Sequence, residues 1–383
     1  MEGKEKNGRR EMKIASLVWF PVFPARFGGQ KGIALFQEHL SLHFPITCIC
    51  SSDNKPEAQM QLALAPILPR SKTQFINPVC WIKILRRLRR EKADILLLEH
   101  PYHALVAVLA KKLYGLRIVL HQHNIEYLRF RQLKRWWWPL LKRLESLACR
   151  QSGLVFFKTE EDRRQALHDF GLDAKKTFIL PYGIERKQRR PNSRGLLQQK
   201  HSLHPEEKII LFAGTLDYEP NAEAVEKIYS ELAPRLRQSG HNYRILVCGR
   251  NRFTQFHYLN QLHHPQVLLV GEVEDIDLYF EGADVFINPV SGGGGIQTKI
   301  LDALAHHLPV ACFTHMLSGL DASTCPGKLF PAQPNDWNDF ALKLEQALSQ
   351  PPLPTPESFF HYYGWEKIAA DAFVRIRELG IGN

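Results

Sequence analysis

Residues 285–305, VFINPVSGGGGIQTKILDALA, carry the densest arrangement of residue types suited to chemistry. A strand-like apolar run ends at Pro289, and Ser291 and four glycines follow it. A segment of helical period comes next, with Ile296, Ile300, Leu301 and Leu304 on one stripe. Glycines at 292–295 remove every Cβ, so backbone N–H groups can approach a ligand closely. The N–H groups and dipole at the start of the helix then favour an anion such as phosphate. Lys299, one turn in, adds a full positive charge, and Asp302 stands three residues later on the same face. A carboxylate there suits ribose hydroxyls. Spacing alone equally fits a glycine turn with a surface Lys–Asp pair, and the segment is neither a Walker A motif nor GxGxxG.

A second reactive stretch is VLHQHNIEYLRF at 119–130. His121 and His123 close a strand-like run, the edge at which parallel sheets place reactive groups. They read as hydrogen-bonded histidines. A metal pair would need a third ligand, and none presents itself at a suitable spacing. WFPVFPARFGGQKGIALF at 19–36 repeats the order strand, glycine loop, helix, with Gly28 and Gly29 in the loop.

The elements that must hold these residues alternate along the chain. Strand-like runs fall at 12–20, 45–52, 94–99, 117–121, 153–157 and 176–181, with helical periods at 28–41, 77–91, 103–114, 139–150 and 160–170. Residues 186–204, RKQRRPNSRGLLQQKHSLH, are polar and read as a linker. Alternation resumes with strands at 208–214, 243–249, 267–271, 285–289 and 309–313, and helices at 221–237, 254–262, 275–282, 295–306 and 335–349. A Pro-rich stretch at 350–358 precedes a last amphipathic helix near 364–379. Repeated βα units imply an α/β fold of two Rossmann-like, doubly wound parallel-sheet domains facing a cleft. The expected organisation is a first domain at 1–185, a linker at 186–204 and a second domain at 205–358. A C-terminal helical segment, 359–383, would pack back on the first domain.

No run approaches 18 apolar residues, so no membrane span is expected. The N-terminal apolar run is too short for a signal peptide and reads as a first strand. Seven scattered cysteines without a CxxC pair point to buried thiols and a cytoplasmic setting. Net charge is +11, but the first 190 residues hold 35 Lys and Arg against 17 Asp and Glu. The remaining 193 hold 15 against 22, so only the first half is basic and expected to meet an anionic partner. Two segments concentrate that charge. In NPVCWIKILRRLRREK, Trp81, Ile84, Leu85 and Leu88 form a stripe beside Lys83, Arg86, Arg87, Arg89 and Arg90. In RFRQLKRWWWPLLKRL, three tryptophans stand among cations. A core-facing helix with a solvated basic face explains the first pattern. Three adjacent tryptophans cannot all point inward, which favours an anionic membrane surface, peripherally at the inner face of the plasma membrane. No zinc spacing, RNP-like motif or helix-turn-helix pattern supports nucleic-acid binding.

Over nearly its whole length the chain resembles glycosyltransferase family 4, of GT-B fold, in its glycine-rich donor-site subgroup. The resemblance is carried in order by FAGTLDYEPNAEAV at 212–225, VCGRN at 247–251, VGEVEDIDLYFEGADVFINPV at 270–290 and GGGGIQTKILDALAHHLPVACF at 292–313. HYYGWEKIAADAF at 361–373 extends it toward the end of the chain. It implies a retaining hexosyltransferase that uses a nucleotide-diphosphate sugar, without metal or cofactor, on a lipid-linked or polysaccharide acceptor. It implies donor-binding roles for Gly28, Gly29, Gly214, Arg250, Gly293, Gly294, Gly295, Ile296, Gln297, Thr298, Lys299 and Asp302. It also matches His123, with Glu126 in His-Asn-x-Glu, to catalytic residues at the donor sugar. The sequence departs from the family where Thr215 stands in place of an arginine and Gly294 in place of a glutamate, which shifts diphosphate neutralisation onto Lys299 and Arg250. Competing readings are a nucleotide-sugar epimerase of the same fold, a phosphorylase, and a non-catalytic basic scaffold at a membrane surface. An epimerase would carry more acids and histidines, and a phosphorylase would need a pyridoxal-binding lysine and a longer chain.

Overall fold

The computed structural model describes residues 11–25, 28–56, 60–238, 242–292 and 296–381. They fall into two compact units, one up to Gly183 together with the segment from Trp365 onward, the other Ile184–Gly364.

The first unit runs β1 (Ile14–Val18), α1 (Gly28–Ser41), β2 (Ile46–Ser51), β3 (Ala63–Leu68), α2 (Pro78–Glu91), β4 (Ile95–Glu99), α3 (Ala104–Tyr114), β5 (Arg117–Gln122), α4 (Glu126–Gln132), α5 (Trp138–Gln151), β6 (Leu154–Phe157), α6 (Glu160–Phe170) and β7 (Thr177–Ile179). The strands make one parallel sheet in the order β3-β2-β1-β4-β5-β6-β7. Runs such as IASLV, ILLLE and LVFF are buried throughout, as strands covered by helices on both faces must be. Strand order reverses between β1 and β4, and a sheet of this type opens its crevice at the carboxyl ends of those strands.

Local signals set the helix ends. Asn77 accepts a hydrogen bond from the Val79 N–H at 2.9 Å, with Pro78 at the first helical position, which starts α2. Thr159 accepts from the Asp162 N–H at 3.0 Å, which starts α6. Along α2, Cys80, Ile84, Leu85 and Leu88 are buried. Trp81, expected in that stripe, is half-buried, and its Nε1 donates to the Phe75 carbonyl at 3.1 Å.

The second unit continues with α7 (Ser193–His201), β8 (Lys208–Ala213), α8 (Glu219–Lys227), α9 (Ala233–Gln238), β9 (Tyr243–Cys248), β10 (Val267–Gly271), α10 (Ile276–Gly282), β11 (Val285–Asn288), α11 (Thr298–Ala305), β12 (Val310–Phe313), β13 (Leu329–Ala332), α12 (Trp337–Ser349) and α13 (Glu357–Tyr363). Its parallel sheet has the order β10-β9-β8-β11-β12-β13, reversing between β8 and β11. The last helix, α14 (Trp365–Ile381), returns to the first unit and packs on α1. There Phe373 lies 4.9 Å from the His43 ring and 5.0 Å from Phe44.

Several elements differ from the sequence reading, among them helices α4 and α13, which it did not include as helices of their own. Strands β3 and β13 were not anticipated. Each is a sheet edge holding a proline, Pro66 and Pro331, where the missing N–H can face away from the ladder. The stretch read as a linker contains α7, which packs on α10. Its charges are not solvated linker charges: Arg190 Nε donates to Glu281 at 2.9 Å, Ser193 Oγ to the same carboxylate at 2.6 Å, and Arg194 to Asp284 at 2.7 Å. All seven cysteines are buried and free. No helix among the described residues is long and apolar enough to cross a membrane.

The tightest backbone approach lies at the carboxyl edge of β8 and β9. A Cβ on Gly249 would stand 1.9 Å from the Gly214 carbonyl oxygen. Neither backbone can yield cheaply, because Gly214 N–H donates to Cys248 at 3.0 Å and Gly249 N–H to Gly271 at 2.8 Å. Gly249→Ala is therefore expected to cost about 2 kcal/mol or more in urea unfolding of the second unit. A change within about 0.5 kcal/mol would show that the two loops are not so constrained.

Candidate active site

In the second unit the residues of interest gather at the carboxyl edge of β8 and β11, where the strand order reverses. Gly293, Gly294 and Gly295 lie outside the described residues. Ile296 and Gln297 lead into α11, which begins at Thr298 with no side-chain cap. Ile300, Leu301 and Leu304 are fully buried and fix the helix against the sheet, while Lys299 and Asp302 remain half-buried on another face.

Lys299 Nζ donates to Asn221 Oδ1 at 2.8 Å and lies 5.2 Å from the centre of the Phe212 ring. Asn221 Nδ2 in turn donates to the Thr215 carbonyl at 2.8 Å. One amide thus ties α11, α8 and the loop after β8 together. Gly214 leaves room for it, since a Cβ there would meet Asn221 Nδ2 at 3.0 Å. Asn221 was not singled out from sequence, and DYEPN gave no sign that its amide would meet a lysine 78 residues away.

Arg250 is held rather than solvated: its Nε donates to Asp217 at 2.9 Å. Asp217 also accepts from the N–H groups of Arg252 at 2.6 Å and Phe253 at 2.8 Å. Burial pushes the Asp217 carboxyl upward, but these hydrogen bonds outweigh it and hold the group below its usual range. Asp217 thereby fixes the 250–253 loop and the arginine together. Asn288, closing β11, is fully buried with neither side-chain polar atom hydrogen-bonded among the described residues. A buried unpaired amide costs about 1–3 kcal/mol, and this one stands where the glycine loop departs.

The first unit brings together a different set. β4 and β5 pair in register with Glu99 opposite His121, and His123 follows two residues on. The Glu99 Oε2 atom lies 2.9 Å from His121 Nδ1 and 2.7 Å from His123 Nε2. His123 forms the aligned hydrogen bond, whereas both nitrogens of His121 lack an aligned partner among the described residues. His100 stacks on His123 with ring centres 4.5 Å apart, from a backbone held at φ 75°. A non-glycine residue in that region is strained and is kept there by its surroundings.

The sequence presented no third partner for the two histidines, and the structure supplies Glu99 from the neighbouring strand. One atom from each of Glu99, His121 and His123 lies within 4.8 Å of the others, a donor set of the kind transition metals accept. The carboxylate–imidazole separations of 2.7 and 2.9 Å are nevertheless hydrogen-bond lengths. Tetrahedral ligands at metal distances stand about 3.3 Å apart.

Burial lowers His123 to about 3, with His121 adding to the effect, and lowers His121 and His100 to about 4. Burial alone would raise the Glu99 carboxyl, but the two imidazoles outweigh it and keep it well below the usual range. At neutral pH the cluster is one carboxylate facing neutral imidazoles.

Glu126 does not join this pair. Its Oε2 accepts from Tyr102 at 2.8 Å, and its backbone N–H donates to Glu145. Glu145 caps the start of α4 by also accepting from Tyr127 N–H at 3.0 Å and from Gln122 at 2.8 Å. Gly28 and Gly29 open α1, and a Cβ on Gly29 would meet nothing within 4 Å, so packing does not require glycine there.

Two doubly wound units with polar clusters at their strand ends define the GT-B architecture. A family model described as Glycosyltransferase Family 4 matches residues 33–188, and one described as Glycosyl transferases group 1 matches residues 207–350. The chain belongs to the GT-B glycosyltransferases of the family 4 kind. It is 25% identical over 240 residues to a UDP-N-acetylglucosamine–N-acetylmuramyl-(pentapeptide) pyrophosphoryl-undecaprenol N-acetylglucosamine transferase of Streptomyces coelicolor. That match spans 61% of this chain and 59% of the relative's length. Sucrose-phosphate synthase from Thermosynechococcus elongatus shares the fold with a TM-score of 0.76 at 17% identity, covering 96% of this chain and 99% of that one. Anabaena HepE, solved in complex with UDP, has a TM-score of 0.75 at 14% identity, covering 96% and 100%.

Burial lowers Lys299 to about 7. An incoming diphosphate would restore its charge, so any contribution it made to anion binding would be complete below pH 7 and lost as pH rises above it. Lys299→Met is expected to weaken nucleoside diphosphate binding about tenfold or more at pH 6.5, measured by calorimetry, with the chain still folded though somewhat less stable for the unpaired Asn221 amide. Unchanged affinity would remove Lys299 from the site.

Proposed function

We propose that the protein transfers a hexose from a nucleotide-diphosphate sugar to a lipid-linked or glycan acceptor, with retention of configuration and without a metal. The observation that carries this reading is the Lys299–Asn221–Thr215 linkage beside the uncapped start of α11. It offers a cation beside a helix N-terminus at a topological switch point, the arrangement a diphosphate takes. Lys299, with Arg250 on its Asp217 anchor, neutralises the diphosphate, and Asp302 is assigned to the ribose. His123 is assigned to a hydroxyl of the donor sugar. The departing diphosphate can accept the proton of the attacking hydroxyl on the same face, so the protein's task is to position reactants and stabilise charge. No covalent carboxylate is required.

The acceptor side is assigned to the basic first unit. On α2 and the turn before it, Ile76, Val79 and Ile82 are exposed at 71%, 59% and 47%, in line with exposed Lys83 and Arg86. Of the three tryptophans, Trp137 and Trp138 pack partly on the core while Trp136 is 88% exposed, near exposed Leu140. Exposed apolar groups beside cations suit an anionic headgroup layer.

The test is thermal shift and calorimetry against UDP, GDP and ADP, with UDP first because HepE carries it in its structure. One nucleoside diphosphate should raise Tm. Its sugar conjugate should then give a product of unchanged anomeric configuration by NMR, with EDTA present. No shift at millimolar concentration, an inverted product or a loss of turnover with EDTA would each contradict the matching part of the reading. Flotation with liposomes should show binding to anionic and not neutral vesicles, reduced several-fold by Trp136→Ala with Lys83→Ala and Arg86→Ala. Failure to bind either kind would remove the membrane assignment.

A further inference from the structure

We propose that Glu99 is the positioning residue of His123: it fixes the imidazole as the Nε2–H tautomer, so that Nδ1 meets the substrate as a hydrogen-bond acceptor. This rests on the assignment of His123 to the donor sugar and goes further, because it states which proton goes where.

The polarity of the surrounding hydrogen bonds carries the argument. Ser16 Oγ donates to Gln37 Oε1 at 2.8 Å, and Gln37 Nε2 donates to Glu99 Oε1 at 3.0 Å. These three residues come from β1, α1 and β4 and are all buried. Gln37 is thereby oriented with its amide nitrogen toward Glu99, and one carboxylate oxygen is committed. The other oxygen, Oε2, stands 2.7 Å from His123 Nε2. A buried ionised carboxylate only accepts, so the proton on the near nitrogen of His123 is fixed. In a neutral imidazole the far nitrogen, Nδ1, then carries the lone pair. It forms no hydrogen bond among the described residues, and His123 keeps 12% side-chain exposure where Glu99 and His121 have none.

The ring is also held in place. His100 stacks on one side at 4.5 Å, and the His121 ring lies 4.3 Å away. Lys158, buried at the end of β6, does not compete for the carboxylate: its Nζ donates to the Pro181 carbonyl at 3.4 Å. An acceptor nitrogen at this point recognises a donor group, which on a sugar is a hydroxyl. It is not suited to a carbonyl or a phosphate oxygen.

The experiment has a part that needs no activity and a part that does. Long-range ¹H–¹⁵N spectra of the full chain, with His123 identified by the loss of its signals in His123→Ala, should show Nε2 protonated and Nδ1 bare at neutral pH. Glu99→Gln, whose amide cannot accept from both Gln37 and His123 through the same oxygens, should give a mixture of tautomers. In turnover, Glu99→Gln should lower kcat about tenfold to a hundredfold while the calorimetric Kd for UDP stays within twofold. Glu99→Asp should restore part of the loss. Glu99→Gln should cost nothing further in a His123→Ala background, as expected of residues acting through one another. A wild-type His123 protonated on Nδ1, or a full additional loss in the double variant, would overturn the proposal. Should no sugar donor be turned over, the function reading fails by itself, and the wild-type spectrum still decides the tautomer.

Discussion

A parallel strand buried on both faces has almost no place for charge except its ends, and the groups at the carboxyl ends set the chemistry of this protein. In β4 the sequence ILLLE is apolar until Glu99, and in β5 RIVLHQ is apolar between Arg117 and His121. In β6, LVFF is followed at once by Lys158, and β11 reads VFIN with Asn288 last. Adjacent parallel strands in register then bring such end residues side by side. Glu99 meets His121 because their Cα positions pair, with no loop required to fold over them.

The consequence is electrostatic. Groups crowded at a desolvated strand edge do not keep their solution protonation states. His100, His121 and His123 are pressed to the neutral form, and Lys299 and Lys158 are each lowered to about 7. In the first unit this leaves Glu99 and its imidazoles as a pattern of donors and acceptors that does not titrate near neutrality, while Lys158 does. In the second it leaves a lysine whose charge depends on whether an anion is present. The first arrangement suits orientation of a neutral hydroxylated ligand, the second suits capture of a diphosphate.

Much of this could be read from the sequence, and what could not has a physical reason. The period-two and period-3.6 patterns located the central strands and most of the helices, since their burial is visible locally in LLL, IVL or ILDAL. Strands β3 and β13 escaped because their prolines read as breakers, and only their edge position makes the proline harmless. Helix α7 escaped because its charges look like linker composition until Glu281 and Asp284 are placed beside them. Lys299 and His123 were legible from their places after a strand. Asn221 and Glu99, which hold them, were not: each is defined by a contact far along the chain. Arg250 was visible as a cation, but not its dependence on Asp217.

The central claim is that a nucleoside diphosphate is captured by a lysine that is partly deprotonated near neutral pH before the ligand arrives. It is tested most directly by calorimetry of UDP binding at pH 8 in two buffers of different ionisation enthalpy, which counts protons exchanged on binding. The account predicts uptake approaching one proton in the wild-type protein and none through this position in Lys299→Met. Tight binding with no proton uptake, or uptake equal in the two proteins, would contradict it.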